Sequence, residues 1–170
     1  MFDVLNRYFA AVTPHIHRHG GTIDNFRGDG LMVLFGAPEP HAEPCRAAFD
    51  AARDIVRYGR PLLEGVTAPE QVALDLAVGI AFGEAVYGDL GSGERRDFTA
   101  IGDAVNVAAR LQDLSKSLGY PVLMTMAVFE RLGLMPALDP DSADANPREL
   151  GEVALRGHSP VSIAGWRPSA

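Results

Sequence analysis

HGGTIDNFRGDGLMVLFGAP, the stretch that covers residues 19–38, decides the fold of this chain. Two strand-like segments, Thr22–Arg27 and Leu31–Phe35, flank the short sequence Gly28-Asp29-Gly30. Strands joined by a tight turn have this pattern, because glycine adopts the backbone angles that such a turn needs. The stretch therefore predicts a β-hairpin with a carboxylate at its tip.

The carboxylate of Asp29 has two interpretations. Flanking glycines let a cation come close to the backbone, and Mg²⁺ prefers oxygen ligands such as a carboxylate. An Asp-Gly pair is also an ordinary hairpin turn that binds no ligand. The hairpin taken alone leaves a metal site and a structural turn both open.

Apolar residues on both sides of the hairpin follow helical spacing. They predict amphipathic helices over residues 3–18 and over the Ala-rich segment 41–63. Further along, the patterns predict strands at 72–81, 84–87 and 97–101, loops at 66–70 and 88–96, a helix from Asp103 to about Ser117, and short apolar runs at 122–124, 153–155 and 161–166. Because strands and helices alternate irregularly, the chain is expected to be α+β rather than a doubly wound sheet.

Composition limits the classes of partner. The 170 residues predict one domain, and a net charge of -7 gives no general attraction to nucleic acid or anionic lipid. A phosphate ligand would then be held by local basic groups or backbone amides. The single cysteine, Cys45, the lack of a ~20-residue apolar span and the lack of a signal peptide predict a cytoplasmic chain with no membrane segment.

A second candidate site lies in the predicted helix after Thr99. Asn106 and Arg110 are four residues apart, so they share one face of that helix. An amide beside a guanidinium suits a phosphate or a ribose. A solvated helix face with no ligand is the alternative.

Taken together, the segments resemble the catalytic domain of class III adenylate/guanylate cyclases. The resemblance rests on residues 19–38, 78–91, 96–111 and 150–157, which occur in the family's order and span about residues 4–165. It implies a ferredoxin-like α+β fold that dimerises head to tail and shares its active sites between two protomers. The expected partner is a second copy of the chain or another cyclase domain.

The resemblance also implies a reaction. Family members convert ATP or GTP into a 3′,5′-cyclic nucleotide and pyrophosphate, with two Mg²⁺ (or Mn²⁺) ions held by two aspartates. Asp29 matches one of these aspartates. Asn106 and Arg110 match the partner residues that orient the ribose and stabilise the charge on the phosphate. Arg156 stands where the family usually has a lysine that contacts the terminal phosphates.

Two positions match the family's base-recognition residues. Asn25 stands where adenylate cyclases carry lysine. Thr99 stands where many members carry aspartate and numerous bacterial members carry threonine. Thr99 favours a bacterial-type adenylate cyclase, so the expected substrate is ATP, with GTP as the alternative, and the expected role is intracellular cyclic-nucleotide signalling.

The sequence departs from the family at its start. The family's first metal aspartate lies on a strand before the first helix, and residues 1–4 contain no such strand. We therefore expect residues 1–170 to form a single, incomplete cyclase domain that lacks its first strand. We expect the cyclase activity of this chain to be reduced or lost, because the first metal aspartate is absent. A catalytically inactive cyclase-like module, which regulates, binds nucleotide or dimerises, is the alternative.

Overall fold

The computed structural model describes residues 2–61, 63, 76–92, 95–133 and 146–168 of the chain. It contains helices α1 (Phe2–Arg18), α2 (Pro44–Asp54), α3 (Asp103–Leu118) and α4 (Met126–Arg131), and strands β1 (Thr22–Arg27), β2 (Gly30–Leu34), β3 (Val78–Ile80), β4 (Val86–Ser92), β5 (Arg95–Ile101), β6 (Val122–Thr125), β7 (Arg148–Val153) and β8 (Val161–Trp166). Helices and strands are mixed irregularly, which confirms the α+β class. Among these residues α1 is the first element, and no strand precedes it.

The chain divides into two compact units. The first unit comprises residues 1–74 and 83–105, and the second comprises residues 75–82 and 106–170. The first unit holds α1, α2 and two separate two-stranded sheets, β1-β2 and β4-β5. The second unit holds a four-stranded sheet in the order β3-β6-β8-β7.

The hairpin predicted from residues 19–38 is confirmed. β1 and β2 are antiparallel, and their last pair is Arg27 with Gly30, so Gly28 and Asp29 form the turn. Gly28 has a φ of 63°, a left-handed value that glycine adopts without steric cost. The register shifts between Ile23 and Asn25, which makes Asp24 the extra residue of a β-bulge.

The loop predicted at residues 88–96 is wrong over residues 88–92 and 95–96, the part of it that the structure describes. β4 and β5 form one antiparallel hairpin whose ladder runs from Val86 paired with Ile101 to Ser92 paired with Arg95. Glycine lowers strand propensity, but the backbone groups still pair because ladder hydrogen bonds do not depend on the side chain. The predicted strand at residues 84–87 correspondingly begins only at Val86.

Helices α1 and α2 bury apolar side chains between them. Val12 and Ile16 of α1 are fully buried, and Phe49 and Ala51 of α2 have at most 2% of their surface exposed. The predicted helix over residues 41–63 begins at Pro44, a residue that fits the first turn because its missing N–H has no helical partner there. After Asp54 the chain continues as a π-helical turn over Ile55–Gly59.

His15 in the last turn of α1 and His19, which directly follows this helix, connect it to the end of α2. His15 and His19 are one helical turn apart, and their Nδ1 and Nε2 atoms lie 3.3 and 2.9 Å from Oδ2 of Asp54. Burial raises the pKa of Asp54, but hydrogen bonds from His19 and His15 and the charges of these residues outweigh burial and lower this pKa below its usual value. The cluster therefore stabilises the ionised form of Asp54 in the folded chain.

The four-stranded sheet of the second unit packs against α3. β3 runs parallel to β6, whereas β8 is antiparallel to both β6 and β7. The buried cluster on this sheet comprises Val107, Leu111, Leu123, Leu155 and Ile163. The predicted helix from Asp103 is confirmed. The apolar runs at 122–124 and 161–166 lie in β6 and β8, whereas the run at 153–155 lies at the end of β7 and just beyond it.

Other predictions from the sequence are only partly covered. The predicted strand at 72–81 is represented by β3, and its residues 72–75 lie outside the described residues, as does the predicted loop at 66–70. None of the helices that the structure describes is long and apolar enough to cross a membrane.

One glycine sets how closely α3 approaches the sheet. A Cβ atom added at Gly79 of β3 would collide with the carbonyl oxygen of Ala108 and lie 2.7 Å from the backbone nitrogen of Gln112. Both neighbours are backbone atoms of α3, which cannot move aside as a flexible side chain can. The helix can therefore pack at this position only on a residue without a side chain.

The Asp54 cluster predicts a pH-dependent contribution to stability. A carboxyl with a lowered pKa in the folded state stabilises the fold above its unfolded pKa of ~3.9, and this stabilisation is lost as the pH falls through the folded-state value. Asp54→Asn should therefore lower the free energy of unfolding by about 1 kcal/mol at pH 6 and by less at pH 3, which lies below the unfolded pKa. Urea unfolding followed by circular dichroism measures both.

Asp50→Asn is the matched control on the same helix. Asp50 pairs with Arg53 at 3.8 Å, at a more exposed position, so its loss should change stability little at either pH. An equal effect of the two variants at pH 6 would contradict the role given to Asp54.

Gly79 predicts a large steric effect of one methyl group. Gly79→Ala should destabilise the second unit by about 1–3 kcal/mol or more, because helix and strand must separate to admit the methyl group. Gly88→Ala is the control, since a Cβ atom added at Gly88 meets no atom within 4 Å. Thermal unfolding compares the two variants, and equal melting temperatures would show that α3 can shift without cost.

Candidate active site

The turn of the β1-β2 hairpin presents Asp29 to solvent. The position is exposed, and no atom lies within 4 Å of a Cβ atom added at the neighbouring Gly28. An ion or a ligand could therefore reach the carboxylate without displacing protein atoms. This placement agrees with the metal-ligand interpretation of Asp29 and equally with an exposed turn.

The donor set around Asp29 does not form a metal site within the described residues. Over that part of the chain there is no group of three or more His, Cys, Asp or Glu side chains that could hold a metal ion. Magnesium requires several oxygen ligands in near-octahedral geometry, and one exposed carboxylate supplies at most two of them. The residues present here therefore do not by themselves fit the pair of ions that the resemblance implies.

The two predicted base-recognition residues meet in the first unit. Nδ2 of Asn25 donates a hydrogen bond to Oγ1 of Thr99 at 3.2 Å, although 74 residues separate them in the chain. Asn25 lies on β1 and Thr99 lies on β5, so the two hairpins bring these side chains together. Thr99 is buried, with 8% of its surface exposed.

A third residue, Asp24, belongs to the same cluster and was not predicted. Its Oδ2 accepts hydrogen bonds from Oγ1 of Thr99 at 2.7 Å and from Nδ2 of Asn25 at 2.9 Å. Neighbouring residues of a regular strand point to opposite faces, but the bulge at Asp24 breaks this alternation. The three-residue spacing of Ile23 and Phe26, the apolar residues on either side, is the sequence signal that could have indicated the bulge.

Helix α3 carries Asn106 and Arg110, the two residues predicted to be catalytic. Asn106 is exposed, and Arg110, one turn further on, is half-buried. The helix is anchored beneath them by Val107 and Leu111, which belong to the buried cluster of the second unit. Packing of one face against the sheet therefore leaves Asn106 accessible to a ligand and partly shields Arg110.

The turn between β7 and β8 lies next to Arg110. The N–H of His158 donates to the carbonyl oxygen of Leu155 at 3.0 Å, and Gly157 has a φ of 71°. A Cβ atom added at Gly157 would lie 3.9 Å from Nη1 of Arg110. The guanidinium of Arg110 thus borders the turn that carries the exposed Arg156.

The two units therefore present different chemistry. The first unit combines an exposed carboxylate, Asp29, with the polar cluster that contains Asn25 and Thr99. The second unit places the guanidinium of Arg110 beside the turn that carries Arg156. Guanidinium groups donate several hydrogen bonds in a plane and match phosphate oxygens, so the second unit is suited to binding an anion.

Comparison with known proteins gives a consistent result. The family model described as the adenylate and guanylate cyclase catalytic domain matches residues 1–163. The uncharacterized protein Rv1319c of Mycobacterium tuberculosis is 39% identical over 163 residues, which cover 95% of this chain and 28% of that protein. The chain therefore spans little more than a quarter of that relative.

Solved structures show the same fold. The guanylyl cyclase Cya2 is 30% identical with a TM-score of 0.75, and the match covers 96% of this chain and 78% of that one. The adenylyl cyclase CyaB from P. aeruginosa is 28% identical with a TM-score of 0.78, covering 99% and 83%. With the family model matching nearly the whole length, the chain belongs to the adenylate and guanylate cyclase catalytic domain family.

Proposed function

We propose that this catalytic domain converts ATP into 3′,5′-cyclic AMP and pyrophosphate, in intracellular cyclic-nucleotide signalling. One observation carries the proposal: the guanidinium of Arg110 borders the Arg156–Gly157 turn, one helical turn from the exposed Asn106. On a chain whose net charge is -7, a triphosphate needs local positive charge, which Arg110 and Arg156 supply. A purely structural helix face has no need for it.

The reaction requires positioning and charge stabilisation. The ribose 3′-oxygen attacks the α-phosphorus, the bond from this phosphorus to the bridging oxygen breaks, and pyrophosphate leaves while the 3′-hydroxyl loses its proton. Arg110 donates hydrogen bonds to the α-phosphate oxygens, where charge develops in the transition state. Arg156 holds the terminal phosphates, and Asn106 orients the ribose so that its 3′-oxygen stays in line.

The proposed cofactor is Mg²⁺, or Mn²⁺ in its place, with Asp29 as one of its ligands. The exposed position of Asp29 permits this role. The described residues do not complete the donor set for this ion.

The proposed assembly is a head-to-tail homodimer or a pair with another cyclase domain. Its support is an exposed apolar cross-strand pair on the β4-β5 hairpin, Val86 and Ile101, which are 76% and 53% exposed. Large apolar side chains grouped in this way usually mark an interface. In the proposed dimer, Asp29 of one protomer and Asn106 and Arg110 of its partner complete one site.

A catalytically inactive module that binds nucleotide or dimerises is the second candidate. The incomplete donor set around Asp29 favours it. The two candidates differ in turnover: the enzyme produces cyclic AMP from ATP with Mg²⁺ or Mn²⁺, whereas the module binds nucleotide and leaves it unchanged. Protein expressed from its complete open reading frame is the sample that decides between them.

Arg110→Ala should lower the turnover of ATP by at least ~10²-fold, because it removes donors that act on the transition state. Assays of cyclic AMP formation measure this, and gel filtration checks that dimerisation is unchanged. Arg131→Ala is the matched control, since Arg131 donates to the carbonyl oxygen of Ala127 and stacks on Phe82 in the same unit. Near-normal turnover of Arg110→Ala would remove this residue from the proposed site.

The shared site predicts complementation between two inactive variants. Asp29→Ala and Arg110→Ala protomers, each inactive alone, should recover roughly a quarter of wild-type activity in a 1:1 mixture, because half of the dimers are mixed and each holds one intact site. Two different affinity tags identify the mixed dimers. Confirmed mixed dimers without activity would show that the residues of one site do not come from two protomers.

A further inference from the structure

Three side chains in the first unit, Asp24, Asn25 and Thr99, form a closed hydrogen-bonded group, called here the base-recognition cluster. Oδ2 of Asp24 receives the hydroxyl of Thr99 at 2.7 Å and the amide of Asn25 at 2.9 Å. The Asn25 amide also reaches the Thr99 hydroxyl, at 3.2 Å. Each member therefore contacts both of the others.

Counting donors and acceptors determines which atoms carry the hydrogens. A carboxylate only accepts hydrogen bonds, so the short contact between Asp24 and Thr99 uses the single hydrogen of the Thr99 hydroxyl. The amide nitrogen of Asn25 has two hydrogens, and these are directed at Asp24 and at Thr99. The Thr99 oxygen thus donates one bond and accepts one, and what remains available on it is a lone pair.

Asp24 cannot contact a bound base directly in this conformation. Its second oxygen, Oδ1, is inaccessible to solvent and has no hydrogen-bond partner in the described part of the chain. A ligand could reach this oxygen only if the surrounding residues moved. Any influence of Asp24 on a bound base must therefore pass through Thr99 and Asn25.

We propose that Asp24 is a positioning residue that makes the pocket selective for a 6-aminopurine by holding Thr99 as a hydrogen-bond acceptor. This inference rests on the proposed function, since it concerns the base of the same nucleotide. It adds a residue to the two base-recognition positions that the sequence indicated. It also specifies that Thr99 acts towards the base as a hydrogen-bond acceptor.

The selectivity follows from the groups at position 6 of the purine ring. Adenine carries an amino group that donates hydrogen bonds, whereas guanine carries an oxygen that only accepts them. The lone pair left on Thr99 accepts from the adenine amino group. Opposite guanine, two acceptors face each other, and at a side chain only 8% exposed, little water is present to satisfy them.

The bulge explains why Asp24 can do this. In a regular strand, Asp24 and Asn25 would point to opposite faces of the β1-β2 sheet. The extra residue in β1 lets both side chains reach Thr99, and bulges commonly redirect side chains beside functional sites. The arrangement is thus built into the backbone.

The test compares binding of two nucleotides that cannot be cyclised, 3′-deoxy-ATP and 3′-deoxy-GTP, by calorimetry with Mg²⁺ on protein from the complete open reading frame. The wild type should prefer 3′-deoxy-ATP. Asp24→Leu has a similar size but no acceptor, so it frees the Thr99 hydroxyl to donate and should reduce this preference about tenfold. Asp24→Asn retains an acceptor oxygen and should keep most of the preference.

Double variants separate positioning from a general structural role. Thr99→Val should reduce the preference for 3′-deoxy-ATP, as Asp24→Leu does. The combined variant should be no less selective than the less selective of the two single variants, because both changes remove the same contact. Equal losses of affinity for both nucleotides, an unchanged preference in Asp24→Leu, or additive effects in the combined variant would each overturn the inference. Circular dichroism confirms that the variants are folded.

Turnover measurements distinguish this inference from the proposed function. Nucleotide discrimination that depends on Asp24 without any cyclic AMP formation would support the inference and overturn the enzymatic proposal. Cyclic AMP formation with selectivity that is insensitive to Asp24 would do the reverse. Failure of the wild type to bind either nucleotide would overturn both.

Discussion

The hydrogen bond from Thr99 to Asp24 links the two hairpins of the first unit, and these hairpins need side-chain contacts to hold them together. Over the residues that the structure describes, the two hairpins form separate two-stranded sheets that share no backbone ladder. A two-stranded hairpin is marginally stable by itself, so each must be held by side-chain contacts. The 2.7 Å bond between β1 and β5 is one such contact, and it involves the residues proposed to recognise the base. Structural support and the proposed base recognition thus use the same atoms.

In the second unit, close packing of α3 on the four-stranded sheet fixes the position of Arg110. The helix approaches β3 so closely at Gly79 that a methyl group would collide with its backbone. Val107 and Leu111 fill the space against the sheet, and this anchoring places Arg110 beside Gly157. Because the position of the guanidinium depends on a packed core rather than on a loop, it is held with the precision that charge stabilisation requires.

The two units divide the proposed chemistry in a way that suits a dimer. Asp29, Asn25 and Thr99 belong to the first unit, whereas Asn106, Arg110 and Arg156 belong to the second. Exposed apolar residues on β4-β5 give a physical reason for association, since their transfer out of water is favourable. The family fold is shown by the comparisons, while the substrate, the metal and the assembly remain proposals that the experiments decide.

The sequence by itself determined the elements whose signals are local: the β1-β2 hairpin and the helix from Asp103, together with the family and the residues that match its motifs. These signals depend on residues two to four apart, which a single stretch of chain contains. Only the tertiary structure decided that Asp24 joins Asn25 and Thr99, that Arg110 borders Gly157, and that the predicted loop at 88–96 pairs as a hairpin. Asp24 and Thr99 are 75 residues apart, and the bulge that joins them depends on the register of β1 against β2. Such contacts arise from the packing of distant segments, which no local pattern encodes.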